Sequence, residues 1–133
     1  MSTARDDLKS RIEAIESGYE YFLAYAAQGL STDQGSKSGA PLRDFLKKME
    51  AALDGLVTPV RTVVSEEGLQ PADAWDDLLE VLAADAAATL AAIRLVSART
   101  GVSSQLIDNL NANIHLRALL TDLFLVDDLM ERR

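Results

Sequence analysis

The chain has 133 residues, no Cys, one His and a formal net charge of -8, and 48% of it is hydrophobic. That length fits one domain with a sizeable core, and the lack of Cys excludes disulfides, thiolate nucleophiles and Cys-bound zinc or iron–sulfur clusters. One His excludes metal sites built on two imidazoles, and the acidic balance argues against nucleic acid, whose phosphates need a basic footprint.

Richness in Ala and Leu, with few β-branched or aromatic residues, predicts helix almost throughout. The first helix is expected over about residues 3–28, with Leu8, Ile12, Ile15, Tyr19, Phe22, Leu23 and Ala26 recurring in steps of three and four. Nothing before it resembles a secretory leader, because residues 1–13 carry charges of both signs and no apolar run. Residues 29–40 follow; seven of the twelve are Gly, Ser or Thr, which predicts a flexible loop.

Pro41 suits the first turn of a second helix, expected over about 41–67 with a stripe from Leu42 and Phe45 to Val63 and Val64. Pro59 lies inside that stripe without shifting its phase, so the reading is one helix kinked at Pro59. Gly68 ends it. A third helix is expected over about 71–99, carrying Trp75, Leu79, Leu82, Ala86, Leu90 and Ile93 on one side. Its apolar run from Val81 to Ala98 holds Asp85 and Arg94; a central charge costs roughly 2.5–3.5 kcal/mol on insertion, so a membrane span is rejected. Gly101 breaks the chain, Ser103 or Ser104 caps a fourth helix, and this runs over about 104–131. The expected fold is an all-α, up-down-up-down four-helix bundle in a single domain, cytoplasmic by default.

Two helices have more apolar surface than one core face requires. On the first helix, Ala14, Gly18, Tyr21 and Tyr25 form a second row. On the fourth, one side carries Leu106, Ile107, Leu110, Ile114 and Phe124, and another Ala112, Leu116, Leu119, Leu120, Leu123 and Met130. Taking the first side as core, the second faces read as a homodimer interface of Ala14, Gly18, Tyr21, Tyr25, Leu116, Leu119, Leu120, Leu123 and Met130, or as a surface for another protein.

Arg117 falls on the first, core side and needs a carboxylate or an anion there. A hairpin turning near Gly101 brings it level with Asp85, and the first helix offers Glu16, Tyr19 and Glu20. An internal ion pair is the first expectation. The alternative is a polar pocket of Arg117, Asn113, Tyr19, Glu16 and Asp85 holding a small anionic ligand. No cofactor or metal is expected: di-iron bundles use E-x-x-H motifs, and His115 is preceded by Asn111 and Ala112. No phosphate-loop, nucleophile-elbow or zinc-protease motif occurs. The sequence therefore points to a non-enzymatic assembly, adaptor or regulatory protein.

Overall fold

Local chemistry sets the helix ends in the computed structural model, which describes residues 3–131. Thr3 caps α1 (Ala4–Ala26): its hydroxyl accepts from the Asp6 N–H while the Asp6 carboxylate accepts from the Thr3 N–H. This reciprocal box satisfies two otherwise orphaned donors, and Asp6 and Asp7 complement the positive end of the helix dipole. The chain then forms α2 (Gly39–Leu53), α3 (Val57–Glu67), α4 (Ala72–Ser97), α5 (Ser104–Ala112) and α6 (Ile114–Glu131), with no strand among the described residues. The fold is all-helical as expected, but with six helices in place of four.

Both extra breaks have identifiable causes. The second expected helix is not kinked at Pro59; it stops four residues earlier, where Gly55 adopts φ +71° and its carbonyl accepts from the Thr58 N–H. Pro59 then occupies the third position of α3, where an N–H would have no intrahelical acceptor to lose. A left-handed glycine thus replaces the bend that a mid-helix proline would force. The fourth expected helix breaks at Asn113, whose backbone is extended at ψ 127°. Its Oδ1 accepts from the N–H groups of His115, at 2.9 Å, and Leu116, at 3.4 Å, which makes Asn113 the N-cap of α6.

One apolar cluster draws on all six helices, including Ile15 and Phe22, Leu42 and Met49, Val60, Leu79 and Ile93, Ile107, and Leu116 and Leu123. α1 packs on α2, α3 and α5, while α4 packs on α2, α3 and α6. Gly18 lets α1 approach α2 closely, since a Cβ there would meet the terminal methyl of Met49.

The segment joining α1 to α2 is not the loose loop its composition predicts. Asp33 is buried and accepts from Arg43 Nε at 2.8 Å and from the Val102 N–H at 2.7 Å. Arg43 also donates to the carbonyls of Ser97 and Arg99, at 3.0 and 2.9 Å. Leu30 and Ser104 exchange two hydrogen bonds, and Tyr25 donates to the Val102 carbonyl at 2.6 Å. The α1–α2 connection and the α4–α5 turn are thereby tied into one polar knot at an end of the fold. The Arg43 guanidinium, followed by the Val102 N–H, holds the Asp33 carboxyl below its ordinary range against the opposing effect of burial.

Candidate functional site

The break at Asn113 decides which side of the last helical segment faces inward. A straight helix would carry the row of Ile107 and Leu110 on to Ile114 and Arg117. With the chain extended at Asn113, α6 instead buries Leu116, Leu119, Leu120, Leu123, Val126 and Met130. The residues expected at a subunit interface are therefore core, and two expected in the core are outside: Ile114 is 74% exposed and Phe124 57%. Leu125 and Leu129 join them on the outward side.

The same reversal holds on α1. Tyr25 and Gly18 are buried, and Ala14 packs against the core. Tyr21 stacks on Phe45 with ring centroids 4.5 Å apart and donates to the Ser38 carbonyl. This row packs within the subunit, mainly toward α2, so it is corrected from interface to interior. Leu23, expected in the core stripe, is exposed instead. Burial, with the nearby Asp33 carboxylate as a further cause, raises the Tyr25 phenol above its ordinary value.

Of the five residues expected around an anion, Arg117, Tyr19 and Glu16 line one hollow, while Asn113 and Asp85 lie elsewhere. Arg117 is exposed and lines an open hollow of about 300 Å³ with Glu16, Tyr19, Glu20, Leu120, Thr121 and Phe124. Its guanidinium forms no ion pair among the described residues, so the expected internal salt bridge is absent. Two carboxylates share that hollow with one guanidinium, a balance that disfavours an anion. Asn113 is occupied as a helix cap, and Asp85 turns to the opposite side of α6, toward Asp122 and His115. The helical phase expected from the sequence missed this meeting of Asp85 with Asp122 and His115. The available signal was Asn113 standing immediately before the apolar run Ile114 to Val126, the position of a helix cap.

The surface that remains is the outward ridge of α6, with a hollow on either flank. Phe124 borders the hollow toward α1. Leu129 borders a second, of about 480 Å³, whose apolar lining includes Leu69, Pro71, Trp75 and Leu78. No group of three or more His, Asp or Glu side chains that could hold a metal ion occurs among the described residues. No helix among them is long and apolar enough to cross a membrane. Comparison of the chain with protein-family models, with curated proteins and with solved structures finds no match.

Proposed function

We propose that this protein is a non-enzymatic cytoplasmic homodimer, acting as an assembly, adaptor or regulatory protein through the outward face of α6. In this reading the helices keep the up-down-up-down order of a bundle, with α2–α3 and α5–α6 as its two broken members. The observation that carries it is the two-sidedness of α6: six buried apolar residues face the core, while Ile114, Phe124, Leu125 and Leu129 lie exposed. These apolar side chains share the outward face with Arg117, Thr121 and Asp128, the mixture of apolar and polar groups found in non-obligate interfaces.

The magnitude is comparable with the cost of association, about 4–15 kcal/mol. These four side chains are each partly covered already, so burying the rest contributes about 3–6 kcal/mol per copy. A two-fold interface uses the same patch on both copies, giving about 6–12 kcal/mol against association costs that begin near 4 kcal/mol. Each copy carries a formal charge of -8, so added salt should screen the repulsion and tighten the dimer.

Sedimentation equilibrium at micromolar concentration tests this. Phe124→Asp should give a folded monomer, whereas Leu119→Asp, in the core, should unfold the chain. A wild-type protein that sediments only at 14.4 kDa over the whole range would refute the dimer.

A further inference from the structure

The α4–α6 seam half-buries two acidic groups that neither the core nor the proposed interface uses. Asp85, on α4, is nearly buried, with its side chain 18% exposed. Across the α4–α6 contact, Asp122 lies two turns beyond His115 on the same face of α6, and its Oδ2 is buried and receives no hydrogen bond from any N–H or O–H among the described residues. On the other side of Asp85, His115 Nδ1 stands 3.8 Å from Asp85 Oδ1. The charged surroundings are sparse. Asp85 is the one charged residue of α4 between Glu80 and Arg94, and Asp108 is the one on α5, where it is exposed. Along α6, Arg117 lines the hollow toward α1, away from the pair. Among the described residues no lysine or arginine pairs with either carboxyl, and His115 is the basic side chain beside Asp85.

We infer that this seam is a proton-operated latch, in which Asp85 and Asp122 hold one proton between them and α6 loosens from α4 when it leaves. Two carboxylates packed together with little solvent cannot both ionise without repulsion, but a single shared proton converts the contact into a hydrogen bond to a carboxylate. Burial first, then the Asp85 carboxyl, pushes Asp122 up to about 7, within the range of ordinary cellular pH. The sign follows from linkage. In the unfolded chain Asp122 releases its proton near an ordinary aspartate value of about 3.9. The folded state therefore binds the proton more tightly, and stability falls as pH rises from about 4 through about 7, then levels off. The latch rests on the seam alone and does not depend on the interface proposed above.

Two measurements on the full chain test it. The carbon-13 signal of the Asp122 carboxyl should titrate with a midpoint near 7, and amide protection along α6 should be greater at about pH 6 than at about pH 8 after correction for intrinsic exchange. Asp122→Asn should abolish the fall in Tm over that range, because a neutral amide donates to the Asp85 carboxylate at every pH. His115→Gln should keep most of the fall. If Asp122→Asn does not fold, Asp85→Asn replaces it. An Asp122 carboxyl that titrates near 4 would overturn the latch, as would a Tm slope that survives in the asparagine variants.

Discussion

Replacing Asp33 with Ala tests whether the α1–α2 connection is a structural knot or a loose tether. The change removes an acceptor from two donors of different kinds. The Val102 N–H, 2.7 Å from the carboxylate, lies at a fully buried residue and would be left unpaired, at about 1–3 kcal/mol. Arg43 would lose both its bonds to Asp33 but keep the carbonyls of Ser97 and Arg99, and its side chain is 32% exposed. Its share is therefore smaller, about 1–2 kcal/mol, below the 3–5 kcal/mol for breaking a fully buried pair. The sum is about 3 kcal/mol, or about 10 °C in Tm for a chain of this size. Arg43 lowers the Asp33 carboxyl in the folded state, so its contribution is present above the unfolded value of about 3.9 and is lost as pH falls through the folded one. Urea unfolding of wild type and Asp33→Ala at about pH 7 and about pH 3 should thus show a difference that narrows in acid. A loss under about 1 kcal/mol at neutral pH, or one that does not narrow, would refute the knot.

Two further substitutions probe the breaks and close approaches. Asn113→Ala removes the cap of α6 and should cost about 1 kcal/mol in urea unfolding; an unchanged midpoint would mean that the cap carries no weight. Gly39→Ala places a Cβ against the backbone carbonyl oxygen of Asp33, which cannot swing away as a side-chain end could. It should lower Tm by several degrees and increase proteolytic nicking between α1 and α2, while an unaltered cleavage pattern would count against tight packing there.

The starts of α1 and α5, and the full course of α4, were legible in the sequence because their determinants are local: the Thr3 box, Pro71 and the Ser103 cap. The α1–α2 knot was not. Asp33 finds Arg43 and Val102 at separations of 10 and 69 residues, and composition reports only that the segment has little to bury. Pro59 was read correctly as a disturbance and placed wrongly as a kink, since the chain bends at Gly55, where positive φ is least costly.

The last segment separates what periodicity can and cannot carry. Position along a helix accumulates at 1.5 Å per residue, so a single break displaces the levels very little. Asp85 is found between His115 and Asp122, the levels that flank the expected Arg117. Facing accumulates at about 100° per residue, so the same break at Asn113 exchanges inside for outside. That is why Arg117 left the core and Leu116, Leu119 and Leu123 entered it. The excess of apolar surface on this segment does not depend on phase: whichever side packs inward, the other must meet water or a partner. The proposal of an interaction surface therefore moves with the reversal, from Leu119 and Leu123, which are buried, to Phe124 and Leu125, which are exposed.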